Sequence, residues 1–284
     1  MMPWFIWKNE NSYAKGLLIN KLPKIGHSKE RYQEIQIPGR AGSLIMLEGE
    51  DVYDAYLKEC IVITRNDNAL RQEIINWLRG EGELVFSNEP DKAYDARIAG
   101  EVMFERISND LSQAKIPFWV EPFKRARAEE TITTTSPTTI YNPGDVASRP
   151  TVTITRTGNL DVTIAGQKMH FDHVGGTIKV DADARIITKH TTEYDSSAYY
   201  YKGDYCIVTS GSTSTLYQFT ASGTGSDLVT AGKREEVSGW DGNEFDYIWP
   251  GTFSGEFWKI PVGESSVTRS AGATLVIEPK WRWI

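Results

Sequence analysis

The sequence predicts a mainly β chain: a β-rich N-terminal domain with one α-helix, then a β-sandwich that carries a small inserted β-rich module. Three observations predict it. Short runs alternate apolar residues with Thr or charged residues, the period of half-buried strands. Helical spacing is clear only once, between Asp67 and Leu78. Glycines, prolines and Asn-Pro-Gly or Pro-Gly turns break the remainder at short intervals. At 284 residues the chain can bury one large core or two ordinary ones.

The elements follow in order. Trp4-Phe5-Ile6-Trp7 reads as a first strand and Leu17-Leu18-Ile19 as a second, leaving through Leu22-Pro23. Glu34-Ile35-Gln36-Ile37 alternates and stops at Pro38-Gly39, and Leu44-Ile45-Met46-Leu47 resumes. An acidic loop, Glu48-Gly49-Glu50-Asp51, precedes the strand around Tyr56 to Ile63. Asp67 or Asn68 can cap the helix, because a short side-chain oxygen satisfies a free N–H of its first turn. Leu70, Ile74, Trp77 and Leu78 share one helix face, and Gly80 and Gly82 end it. Leu84-Val85-Phe86 is a strand, and Tyr94–Ile98 with Val102–Ile107 reads as a hairpin around Gly100. Ile116 to Phe123 carries Pro117 and Pro122, which suggests an edge strand, since proline cannot donate to a ladder.

The stretch Thr138–Ile154 marks a change of architecture. A strand ends at Tyr141, Asn142-Pro143-Gly144-Asp145 turns, and Pro150 opens a new alternating strand. Domains are therefore expected at residues 1–140 and 141–284. From 191 to 242 the composition shifts to Tyr, Ser, Thr and Gly, with shorter strands. This reads as an insertion into a sandwich that resumes near Phe245.

Charge excludes one class of partner. The net −7 is spread as −3 over residues 1–130 and −4 over the rest, with no basic half. A surface that grips phosphates needs clustered Lys and Arg, so specific nucleic-acid binding is not expected. No apolar run approaches the ~20 residues of a membrane span, so no membrane partner is expected, and the N-terminus lacks the basic and apolar regions of a signal peptide. Cys60 and Cys206 each sit in an apolar run and read as buried free thiols, which suits folding in a reducing cytosol.

Chemistry-bearing motifs are absent. His170 and His173 project to opposite faces if they lie on a strand, and no third ligand is near in sequence. Asp181-Ala182-Asp183 lacks the glycine and closing Glu of a calcium loop. No Gly-x-Ser-x-Gly is present, and the Gly pairs do not join a strand to a helix. The expectation is no catalytic residue, no cofactor and no metal, hence a structural or binding protein. The aromatic set of the insertion is the candidate contact surface. Tyr199, Tyr201, Tyr217 and Trp240 offer flat rings with polar edges, suited to sugars. The other reading of the same rings is a small core for a segment of about fifty residues.

Several motifs in this order carry a resemblance. They are Asp67–Leu78 ending in Asn76-Trp77-Leu78, Gly80 to Phe86, Phe118–Phe123, Tyr141-Asn142-Pro143-Gly144 with Arg149-Pro150, Trp249–Phe253, and Glu278–Trp283. Together they resemble the distal tail proteins (Dit-type tail components) of long-tailed siphovirus bacteriophages of Gram-positive bacteria. The resemblance covers nearly the whole chain outside 191–242. It implies an N-terminal belt domain closing a ring, usually a hexamer, and a galectin-like C-terminal β-sandwich. It further implies a virion location at the tail tip or baseplate, after folding in the host bacterial cytoplasm. Implied partners are further copies of the chain, the tail tube protein, the tape-measure protein, the tail-associated lysin and the receptor-binding protein. Some relatives carry a carbohydrate-binding insertion in the outer domain, the place 191–242 occupies. Two competing readings are a carbohydrate-binding module protein of a cell-wall-targeting system and, on β-rich architecture alone, a glycan-degrading enzyme.

Overall fold

A computed structural model describes residues 2–129 and 131–284. The chain forms two compact units, residues 1–128 with 282–284, and residues 129–281.

In the first unit β1 (Phe5–Trp7), β2 (Glu10–Asn11) and β3 (Leu18–Lys21) precede a separate hairpin, β4 (Tyr32–Gln36) and β5 (Ser43–Leu47). β6 (Tyr56–Arg65) leads to helix α1 (Asn68–Leu78), then β7 (Glu81–Phe86), β8 (Lys92–Ile98), β9 (Phe104–Arg106) and β10 (Leu111–Ala126). The main sheet runs β2-β1-β7-β8-β10-β6-β3, with β9 also on β10. Alternation drives the central pair. Cys60, Val62 and Thr64 of β6 and Ala114, Ile116, Phe118 and Val120 of β10 all point into the core. Asp67 caps α1 by accepting from Ala69 N–H at 2.8 Å. Gly80, at φ +84°, takes the left-handed turn that ends the helix run. Ile74 and Leu78 are buried, and Trp77 stacks on Phe5 at 5.8 Å. Phe5, Trp7, Phe86 and Phe118 then pack edge-on or tilted. Each such ring contributes roughly 1.5–3 kcal/mol on burial.

Two local expectations are corrected. Residues 116–123 are not an edge: β10 lies between β8 and β6. Pro117 is tolerated there because it falls in the gap between the β9 and β8 partners, and Pro122 lies in a bulge between Val120 and Lys124. The hairpin around Gly100 does not form. β8 pairs with β7 and β10, and β9 pairs with β10 instead.

The second unit starts with β11 (Ile132–Thr134) and β12 (Thr138–Asn142), followed by the long β13 (Thr151–Ile164) and β14 (Gln167–Asp181), then β15 (Ile186–His190). The inserted segment contains β16 (Tyr199–Tyr200), β17 (Tyr205–Ser210), β18 (Thr213–Phe219), β19 (Gly223–Thr224), α2 (Gly225–Thr230) and β20 (Arg234–Glu236). β21 (Asp246–Ile248), β22 (Phe253–Gly255), β23 (Gly263–Arg269) and β24 (Thr274–Glu278) complete it. β13 changes partner along its length: its start pairs β24 and its end pairs β23, with a register shift between Gly158 and Leu160. β14 likewise pairs β22 early and β15 late. The two halves close on one core containing Val152, Ile154, Val162, Ile164, Phe171, Trp249 and Trp258. The last strand, β25 (Arg282–Trp283), returns to β10 of the first unit.

The contacts divide the chain at 128/129, where the sequence suggested 140/141. β11 and β12 belong to the second sheet because β24 and β23, more than a hundred residues later, are their ladder partners. Asn142 is fully buried, donates to the carbonyls of Val146 and Ile260 and accepts from Gly144 N–H. The Asn-Pro-Gly turn is therefore an internal pin of the second unit.

Candidate functional site

Two features stand out from the folded cores. The first is the β4–β5 hairpin. Its register pairs Tyr32 with Leu47, Glu34 with Ile45 and Ile35 with Leu44. Directly opposed residues share a face, so Tyr32, Ile45 and Leu47 lie on one side, and Ile35, Leu44 and Met46 on the other. Neither side is covered within the chain: Ile45 is 61% exposed, Leu47 54% and Met46 50%. A lone two-stranded ribbon is marginal in water. This one is held at its base, where Tyr53 packs edge-on to Phe123 at 5.6 Å and Arg31 bonds Asp54 at 3.0 Å. A ribbon apolar on both faces is suited to being covered by a partner. The sequence showed the alternation but not the second bare face.

The second feature is the insertion. β17, β18 and β20 form a three-stranded sheet, and β16 pairs β19. Tyr200, Cys206, Phe219 and Leu228 form its own small core, with Tyr200 stacked on Phe219 at 4.2 Å. A buried ion pair fastens this core to the sandwich. Asp204, fully buried, accepts from Lys189 Nζ at 3.0 Å, from the Tyr247 hydroxyl at 3.0 Å and from Tyr201 N–H at 2.9 Å. Burial and the adjacent Asp204 charge push the Tyr247 hydroxyl far up, which keeps it a donor. β14 also runs tightly under β16: a Cβ at Gly175 would stand 1.9 Å from the Tyr199 carbonyl oxygen.

The four aromatic candidates do not form one platform. Tyr199 packs on His173 at 4.7 Å and edge-on to Tyr201 at 5.3 Å. Tyr201 turns inward, donates to the Asp172 carbonyl at 2.6 Å and meets Trp249 at a right angle. Tyr217 lies on the three-stranded sheet with the Arg234 guanidinium 4.4 Å from its ring centre. Trp240 sits in a separate turn and donates from its indole to the Asn243 carbonyl at 2.7 Å. Tyr199, Tyr217 and Trp240 keep part of their rings accessible, whereas the neighbouring Tyr200 is buried.

The titratable groups make structural contacts. His170 lies between Asp161 and Asp172, at 2.7 and 3.1 Å, and both carboxylates raise its pKa. His190 lies between Asp246 and Glu244 in the same way, and is also raised. Each imidazole faces its carboxylates from opposite ring nitrogens, so the groups do not converge on one point. Among the described residues no group of three or more His, Cys, Asp or Glu side chains could hold a metal. Burial pushes the Cys60 thiol up to about 12 and Cys206 to about 11. Asp181 accepts from the Asp183 and Ala184 N–H groups and closes a turn. Among the described residues no helix is long and apolar enough to cross a membrane.

No protein family and no curated protein matches the chain in sequence. The fold does have a solved counterpart. The crystal structure of the SPP1 Dit (gp 19.1) protein, described as a paradigm of the hub adsorption apparatus in Gram-positive infecting phages, superposes with a TM-score of 0.60. The similarity covers 98% of each chain at 12% identity. The chain thus has the fold of that protein over essentially its whole length. This agrees with the resemblance drawn from the motif order and with a mainly β class.

Proposed function

We propose that this chain is a distal tail hub of a phage infecting Gram-positive bacteria, a structural protein of the virion with no catalytic role. The observation that carries the reading is the coverage of the fold similarity, which takes in 98% of the chain and so extends over both units. The bare β4–β5 ribbon supports assembly: each copy presents apolar strands that need a neighbour. Closure of such head-to-tail contacts gives a ring, and the resemblance to distal tail proteins implies six copies in it. The ring joins the tail tube and tape-measure protein on one side to the receptor-binding and tail-associated lysin proteins on the other. The first unit is the ring-forming belt, and the sandwich of the second unit is galectin-like.

The test is size-exclusion chromatography with light scattering, followed by negative-stain imaging, on the full chain alone and with its tail tube partner. Rings with a central hole are expected. In an Ile45→Lys/Leu47→Lys variant they should be lost while the thermal transition stays in place, because both positions are already wet in the single chain. A strictly monomeric protein at high concentration that forms no ring with the partner would sink the reading.

A second reading, sugar contact through the insertion, is favoured by the accessible rings of Tyr199, Tyr217 and Trp240. Tyr201 belongs to the same strand region but holds the insertion on the sandwich. Cell-wall polysaccharide should be retained by the parent chain and released by Tyr217→Ala or Trp240→Ala. Equal retention by a chain lacking 191–242 would rule this out.

A further inference from the structure

A cleft of about 570 Å3 in the first unit carries a basic lining although the chain as a whole is net acidic. Lys21, Lys24, Lys58, Lys115 and His27 line it, against one carboxylate, Glu59. Glu59 is already taken by Lys115 at 2.6 Å. Lys21 and Lys24 have no ion-pair partner among the described residues and are exposed. Lys58 lies in the wall with only 3% of its surface exposed.

The charge beneath the cleft is also unbalanced. Glu89 serves two buried ammonium groups, Lys124 at 3.0 Å and Lys58 at 3.9 Å, and accepts from the Tyr94 hydroxyl as well. Lys58 also donates to the Lys24 carbonyl at 3.2 Å and lies over the Tyr94 and Tyr56 rings at 4.7 and 5.6 Å, so its other contacts are dipoles and ring faces and none is a full counter-charge. Burial lowers the Lys58 pKa to about 8, with the nearby Lys124 adding to the effect and Glu89 only partly opposing it. Two buried ammonium groups therefore share one carboxylate, Glu89, with Lys58 the more distant of the two.

The cleft opens where a free sheet edge ends. β3 is the terminal strand of the main sheet, and its last residue, Lys21, is part of the cleft lining. Among the described residues no strand pairs its outer side. Leu18 stands 53% exposed on this edge, and Leu22 and Leu57 give the cleft an apolar wall. A free edge offers main-chain hydrogen bonds, and alternating side chains of an added strand read the pockets beside it.

We propose that this edge and cleft bind an extended, acidic segment of a partner protein, added along β3 with a carboxylate placed among Lys21, Lys24 and Lys58. Charge complementarity selects the ligand. A carboxylate supplies the counter-charge that Glu89 divides between two lysines, and the apolar wall takes an intervening aliphatic side chain. The site is separate from the β4–β5 ribbon, and its test does not require ring formation.

Fluorescence anisotropy with a labelled decapeptide of alternating Glu and Val tests it on the full chain. Saturable binding that weakens with salt is expected, with none for the same peptide carrying Lys in place of Glu. Lys21→Glu/Lys24→Glu should weaken binding by about tenfold or more, while Lys29→Glu, which lies outside the cleft, leaves it unchanged. Lys58→Met should keep the fold, since it removes a buried charge without removing volume, and still lose affinity. Three results overturn the proposal: no binding of the acidic peptide, equal binding by Lys21→Glu/Lys24→Glu, or tighter salt-sensitive binding of a DNA duplex at the same lysines.

Discussion

Replacing Lys189 by Met probes how the insertion is fixed to the sandwich. Lys189 is 4% exposed and Asp204, whose carboxylate it meets, is fully buried. Without Lys189, Asp204 keeps the Tyr247 hydroxyl and Tyr201 N–H at 3.0 and 2.9 Å but has no counter-charge. Stranding a buried charge in this way costs about 3–5 kcal/mol. For a unit of this size that lowers its transition by roughly 6–20 °C. Differential scanning calorimetry of the full chain should show one transition moving and the other staying. Hydrogen exchange should place the lost protection first in residues 199–219, the strands nearest Asp204. Lys168→Met is the control: its pair with Asp161 is at a similar 3.0 Å but both partners are exposed, so the loss stays under about 1 kcal/mol. Adding Asp204→Asn to Lys189→Met should cost less than the sum of the two single changes, because the stranded charge is then gone. If Lys189→Met shifts the transition no more than Lys168→Met does, the ion pair does not hold the insertion.

Gly175→Ala should displace β16, since its Cβ would collide with the Tyr199 carbonyl; near-ultraviolet circular dichroism of the tyrosines should change, and an unaltered spectrum with unaltered stability would contradict the close packing. His190 links β15 to β21 through Asp246, with Glu244 on its other nitrogen. Its folded pKa is raised, so its stabilisation is full below the unfolded value of about 6.5 and is lost as pH rises through the folded value. Hydrogen-exchange protection of residues 246–248, corrected for intrinsic rate, should therefore fall as pH rises above about 6.5, and His190→Gln should abolish that dependence. Both thiols are held protonated by burial, so Ellman's reagent should react with neither Cys60 nor Cys206 at pH 8 until the chain is unfolded; rapid reaction of the native protein would show that one of them is accessible.

Local rules made part of this molecule legible from its sequence. The cap at Asp67, the apolar face of Ile74 and Leu78 and the stop at Gly80 are settled within a few turns of chain, so α1 could be read directly. Alternation likewise gave β6, β13 and most short strands. Strand partners were not readable in this way, because pairing is decided by residues far apart. The prolines of β10 argued for an edge, yet a change of partner at Pro117 and a bulge near Pro122 admit them to the sheet interior. Thr138–Asn142 looked like the end of one domain and is a strand of the next, since its ladder partner lies at 263–267.

The aromatic candidates show the same division. Composition identified 191–242 as a distinct, ring-rich segment, and that much depends on residue type alone. Which of three consecutive tyrosines faces the core depends on packing: Tyr200 fills the inner cluster, Tyr201 hooks onto Asp172, and Tyr199 rests on His173. The Lys189–Asp204 pair, the bare second face of the β4–β5 ribbon and the lysine cleft beside β3 had no sequence signature. Each is a property of what surrounds a side chain, and the chain sets that only by bringing distant segments together. By itself the sequence determined a mainly β protein with helix α1 and no catalytic motif, because those follow from local periodicity and residue chemistry; the short helix α2 of the insertion, only six residues, left no such period. Tertiary structure alone decided where the two units divide, which apolar strands stay bare and which charges are buried, because these depend on contacts between distant parts of the chain.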